Sequence, residues 1–242
     1  MKVAYFECAA GISGDMILGT LVDGGVALGH LKSDLETLHI DGYQLEADRV
    51  QKQGVKGTKV NVNAREENHH RHLKDILHII NDSALPDKVK EKSIIIFSRL
   101  ALAEARVHQT DVEKVHFHEV GAMDAIIDVV GSVCGLFRLG IEKVVASPLN
   151  TGSGWTQSVH GRIPVPAPAT MALLHDVPKY ENGIEKELVT PTGAAILTTI
   201  CSEFGPMPRM TVRKTGHGAG SYDLAIPNVL KLTIGTSYRD EV

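Results

Sequence analysis

Lys2-Val3-Ala4-Tyr5-Phe6-Glu7-Cys8, then Gly11-Ile12-Ser13-Gly14-Asp15, then the helix-forming run from Met16 to Val22: this is strand, glycine-rich turn and helix in 21 residues. Val3 to Phe6 form an unbroken apolar run, the pattern of a central strand buried on both faces. Gly24-Gly25 ends the helix. Working outward, a short helix is expected over 30–38. Alternation predicts strands over 43–50 (Tyr43, Leu45, Ala47) and 55–64 (Val60, Val62, Ala64), an antiparallel pair joined near 51–54. A charged, His-rich loop over 65–75 enters a helix over 72–81. Pro86 opens a longer helix to about 107. Residues 114–119 read as extended and 120–139 as a helix, with a strand over 143–147. Residues 148–168, rich in Gly and Pro, read as a stiff loop. Helices over 169–175 and from Thr190-Pro191 to about 203 follow. Strands over 210–215 and 229–234 close the chain.

This order mixes parallel crossovers with hairpins. It predicts an α/β (mixed α+β) fold, a mixed sheet with packed helices and a helical excursion near 65–114. No linker divides the chain, so residues 1–242 are expected to form a single domain.

Composition narrows the function. The chain has 242 residues, is 43% hydrophobic and 22% charged, and carries 25 basic against 29 acidic residues, a formal charge of −4. That is globular composition, and the absence of a basic run argues against electrostatic nucleic-acid binding. There is no apolar run of membrane-spanning length. Glu7 and Asp15 make the N-terminus a poor signal peptide. Cys8, Cys134 and Cys201 are odd in number and far apart, which suits reduced thiols in the cytoplasm; Cys8, beside the glycine turn, is a candidate soft ligand.

Histidine is abundant, with 12 residues, half of them in two clusters: His69, His70 and His72, and His108, His116 and His118. In His116-Phe117-His118-Glu119 the two imidazoles share one face if the segment is extended. The apolar helix that follows is interrupted by Asp124, Asp128 and Ser132, at i, i+4 and i+8, which places both carboxylates on one stripe. Burying a carboxylate without a partner costs several kcal/mol, so these residues call for a cation, a donor set or a wet cleft. His116, His118, Glu119, Asp124 and Asp128 form a borderline N/O ligand set for Zn, Ni, Co or Mn. His69, His70 and His72 are a weaker metal-binding candidate, with a solvated loop as the alternative. Gly11, Ser13 and Gly14 at one helix start, and Thr190, Thr192 and Gly193 at another, are candidate anion sites; a plain helix cap is the alternative for each. The Gly216-His217-Gly218-Ala219-Gly220 run could admit a ligand backbone-close, or be a flexible turn.

Five blocks, in order, resemble the LarC family of nickel-insertion proteins. They are Gly11-Ile12-Ser13-Gly14-Asp15-Met16, His116 through Ala122, His160-Gly161 with Pro164 through Thr170, Thr190 through Ala195, and Gly216 through Gly220. The resemblance implies a chelatase that inserts Ni²⁺ into pyridinium-3,5-bisthiocarboxylic acid mononucleotide. That reaction makes one carbon–nickel and two sulfur–nickel bonds and yields the nickel-pincer cofactor of lactate racemase. It further implies dependence on CTP, together with a divalent cation, bound by a C-terminal region that lies beyond this sequence. The expected partners are therefore that C-terminal half or a separate chain, and a possible homo-oligomer. Making the carbon–nickel bond releases a ring proton, and Glu119 and Asp15 are the residues whose chemistry suits taking it. Two other classes remain open: a hydrolase using metal-bound water, and a non-enzymatic nickel carrier or scaffold.

Overall fold

The computed structural model describes residues 1–64, 71–115, 117, 123–158 and 161–238. In chain order the elements are β1 (Lys2–Glu7), α1 (Gly14–Asp23), α2 (Leu28–Glu36), β2 (Tyr43–Lys52), β3 (Val55–Ala64), α3 (Leu73–Asp82) and α4 (Asp87–His108). A 3-10 turn (Val112–Lys114) precedes α5 (Met123–Arg138), β4 (Lys143–Ala146), β5 (Leu149–Asn150), β6 (Trp155–Ser158), β7 (Gly161–Pro164) and α6 (Pro168–Leu173). The chain ends with β8 (Lys179–Tyr180), α7 (Pro191–Ile200), β9 (Glu203–Phe204), β10 (Met210–Ala219) and β11 (Val229–Ser237).

The main sheet has seven strands in the order β2-β3-β10-β11-β1-β4-β9. It is mixed, as the alternation of crossovers and hairpins predicts. β1 runs parallel to β4 and antiparallel to β11, while β2 and β3 form the expected hairpin. β1 is central, and Ala4 and Phe6 are fully buried on the helical side. Val3, Tyr5 and Val145 form a small second cluster with Met210 on the opposite face. α3 and α4 lie in the expected helical stretch. They are part of the main core: Ile76, Ile80, Ile96, Phe97 and Leu100 are fully buried in the cluster that contains β1 and α1.

Three expectations are corrected. Residues 148–168 are not all loop, because β6 and β7 pair antiparallel from Trp155↔Pro164 to Ser158↔Gly161. Pro164 is tolerated because this two-stranded ribbon leaves its missing N–H at an edge. The last long helix stops at Ile200, and Glu203–Phe204 forms the edge strand β9 beside β4. The Gly216–Gly220 run is mostly strand, not turn. A 3-10 turn occupies Val112–Lys114 where the extended segment was to begin; His116, His118 and Glu119 of that segment lie outside the described residues.

α1 is the element on which the site depends, and both its ends are tied down. At its C-terminus Asp23 accepts the His217 backbone N–H at 2.8 Å and the Thr58 hydroxyl at 3.3 Å, and it pairs with the Arg49 guanidinium. Its side chain is 10% exposed. A carboxylate at a helix C-terminus opposes the helix dipole, so these donors are what keep it there. Asp23→Ala strands the His217 N–H and is expected to cost about 2 kcal/mol, read as a lower urea midpoint at unchanged m-value.

Candidate active-site cleft

The first turn of the chain is built by backbone contacts. Gly11 has φ +79°, a conformation that suits glycine, and a side chain there would run into the Leu188 carbonyl. The Ile12 N–H donates to the Leu188 carbonyl at 2.8 Å and the Ile12 carbonyl accepts from the Thr190 N–H at 3.1 Å. This short parallel pairing brings the start of α7 against the start of α1. Gly193 completes the joint, since a Cβ there would meet the Ile12 carbonyl and the Ser13 Cα. Gly11 and Gly193 therefore form the joint between the helix starts, while Ser13, Gly14, Thr190 and Thr192 line a cleft beside it. Thr190 is an N-cap, its hydroxyl accepting the Gly193 N–H at 3.1 Å.

The cleft has a volume of about 410 Å³, within the range of small-molecule sites. α1, α7, β3 and α5 form its walls. α5 contributes Asp124 and Asp128, so the predicted stripe does place both carboxylates on one side of one cavity. Glu187 and Asp15 add two more carboxylates, and Lys59 is the one basic side chain lining it among the described residues. A smaller chamber of about 180 Å³ shares Ser13, Asp15, Glu187 and Thr190 with the main cleft and adds Ser221, Tyr222 and Asn228.

Asp128 is the unusual group. It faces the first turn of α1, where a Cβ at Gly14 would overlap its carboxylate. Its Oδ1 is shut off from solvent and has no hydrogen-bond partner among the described residues. Burial, and then the neighbouring Asp15 and Asp124, push its carboxyl well above the ordinary carboxylate range; Lys59 opposes this with a weaker pull. Asp124 is raised too, first by burial, although its Oδ1 accepts the Ala125 N–H at 2.9 Å. Asp15 is differently placed: the Ser13 hydroxyl and the Lys59 ammonium both bind it. The same ammonium donates to the Ser221 hydroxyl at 2.9 Å.

The other described sequence candidates do not line the cleft. His69, His70, His116, His118, Glu119 and His160 lie outside the described residues. Among the described residues, no three His, Cys, Asp or Glu side chains converge as a metal site. His72 is the N-cap of α3, where its backbone N–H donates to Asp75 Oδ2 at 2.9 Å. It is not among the described residues lining the cleft. His108 ends α4 and pairs with Glu104 at 3.5 Å. The three cysteines are free. Cys8 is buried with its thiol pushed up by desolvation, and Cys134 is pushed up to about 12 for the same reason. Neither lines the cleft. The glycines of β10 admit α1, not a ligand: a Cβ at Gly218 would collide with the Met16 carbonyl. Lys59, Glu187 and Ser221 belong to the site but escape sequence reading, because each sits in a locally ordinary polar position.

A cleft between helix starts, with a desolvated carboxylate in its wall, is the geometry of a site that handles charge and protons. The family of nickel insertion proteins matches residues 4–242. The chain belongs to that family. Two relatives from strains of Desulfitobacterium hafniense, each named pyridinium-3,5-bisthiocarboxylic acid mononucleotide nickel insertion protein, are 57% and 56% identical over 235 residues. The match covers 97% of this chain and 58% of each relative, so the chain spans somewhat more than half the length of those proteins. No solved structure matches it. Among the described residues of this family member, no helix is long and apolar enough to cross a membrane.

Proposed function

We propose that this chain forms the acceptor-binding and nickel-handling part of a CTP-dependent, cytoplasmic nickel chelatase. Its substrate is pyridinium-3,5-bisthiocarboxylic acid mononucleotide and its product the nickel-pincer cofactor of lactate racemase. CTP and its divalent cation are held by a C-terminal half or separate partner chain. The observation that carries this reading is Asp128, a desolvated carboxylate whose Oδ1 has no hydrogen-bond partner among the described residues, in the wall of a cleft large enough for a mononucleotide.

Ni²⁺ is the substrate metal. Imidazole and carboxylate ligands of the 116–128 stretch, His116, His118 and Glu119 with Asp124 and Asp128, hold it loosely enough to give up. The acceptor's sulfur and carbon donors bind it more strongly, and that difference drives transfer. The ring proton released as the carbon–nickel bond forms goes to a carboxylate. Asp128 suits that role better than Asp15, because Asp15 is already engaged by Ser13 and Lys59. The helix starts at Ser13-Gly14 and Thr190-Thr192 offer the phosphate an anion-binding rim.

The test is calorimetric nickel titration of the wild-type chain beside the His116→Ala/His118→Ala double variant, at pH 7 with Zn²⁺ as competitor. The expected result is a stoichiometric site in the wild type that the double variant loses. Undiminished binding by the double variant places the metal elsewhere and removes the 116–128 stretch from the reading.

A further inference from the structure

We propose that Lys59 is the anion anchor of this cleft: its ammonium, held by Asp15 and Ser221, is handed to an anionic oxygen group of the bound pyridinium mononucleotide. The inference rests on the functional reading above and adds a substrate-binding residue to it.

Three observations support the assignment. The first is topological. β3 and β10 share a single registered pair, Thr58↔Gly218. Lys59 is the next residue, where β3 parts from β10, and its side chain crosses the gap to reach α1 and Ser221. The second is exposure. A lysine on a strand ordinarily extends its ammonium into water, yet this side chain is 17% exposed and lines the cleft. The third is charge. Asp15, Asp124, Asp128 and Glu187 line the same cavity. An anionic mononucleotide entering it meets repulsion from four carboxylates, and among the described lining residues only Lys59 offers an attracting charge. Its present partners are exchangeable. Ser221 is a neutral hydroxyl, and Asp15 keeps the Ser13 hydroxyl when the ammonium leaves.

The anionic group is either the phosphate or the oxygen of a ring thiocarboxylate, and three unreactive probes, in which a ring carboxylate stands in for the thiocarboxylate, separate them. Nicotinic acid mononucleotide carries both groups, nicotinamide mononucleotide only the phosphate, and nicotinic acid riboside only the carboxylate. Affinity is measured by calorimetry for wild type, Lys59→Gln and Lys59→Arg. Glutamine keeps a hydrogen-bonding amide but loses the charge, and thermal melting checks that each variant is folded. The expected result is at least about tenfold weaker binding by Lys59→Gln, with much of the loss recovered in Lys59→Arg. A loss on both mononucleotides identifies the phosphate; a loss confined to the two carboxylate-bearing probes identifies the ring carboxylate. Folded Lys59→Gln that binds all three probes as wild type does overturns this inference alone. Wild-type protein that binds none of them overturns the functional reading as well.

Discussion

Gly218→Ala is expected to destabilise the protein by about 3 kcal/mol or more, lowering the melting temperature by roughly 10 °C. Gly218 lies in β10, paired to Leu230 on one side and Thr58 on the other. A Cβ there collides with the Met16 carbonyl and comes within 2.7 Å of the Thr20 amide nitrogen. Both are backbone atoms, so no side-chain rotation relieves the overlap. α1 must lift from the sheet as a unit, which opens voids around Met16, Ile17 and Leu21, all buried in the core. Gly29→Ala is the control. Gly29 lies in α2 with nothing within 4 Å of an added Cβ, so the same chemical change there should be neutral or stabilising by up to about 1 kcal/mol. Equal effects of the two substitutions in thermal melts would remove the close helix–sheet contact as the cause.

The same glycine shows where sequence reading reaches its limit. A run such as Gly216-His217-Gly218-Ala219-Gly220 says that some backbone comes close. It does not say whether that backbone belongs to a ligand or to another part of the chain. The distinction depends on tertiary placement, and here α1 is the neighbour. Local signals fared better. The apolar run of β1, the glycine turn and α1 lie within 23 residues and each has its own short-range cause. The β2–β3 hairpin was legible because Leu45, Val60 and Val62 alternate with polar residues and face the core. The β6–β7 ribbon was not, because its Gly161 and Pro164 mimic a loop and its pairing buries little. In the site, the Asp124–Asp128 stripe followed from helical periodicity alone. Lys59 could not, since its role arises only where two strands diverge beside a helix distant in sequence.

Asp128→Asn is expected to stabilise the folded protein at neutral pH while lowering the nickel insertion proposed above, assayed with the CTP-binding part supplied, by at least about a hundredfold. The sign follows from linkage. Burial and the neighbouring Asp15 and Asp124 raise the folded-state affinity of Asp128 for a proton, whereas in the unfolded chain it titrates as an ordinary carboxyl. Between the ordinary carboxyl value and the raised one, the folded state binds more protons than the unfolded state. Stability contributed by this group therefore falls as pH rises through that window, and the ionised form is a net cost above it. Asparagine has nearly the same shape and no charge, so it removes that cost. A gain of about 1–2 kcal/mol, or roughly 3–8 °C in melting temperature, is expected at pH 7. The gain should shrink on acidification and vanish below the ordinary carboxyl value, where Asp128 itself is protonated in both states. Melting curves of the two proteins from pH 4 to pH 8 test this directly. A variant less stable than wild type at pH 7 would mean that the ionised carboxylate is held by donors or a cation. A variant that is more stable yet fully active would leave the desolvated carboxylate without a part in proton transfer. Gain in stability together with loss of insertion is the expected pairing, because a charge kept against its own burial cost is retained for what it does to the substrate.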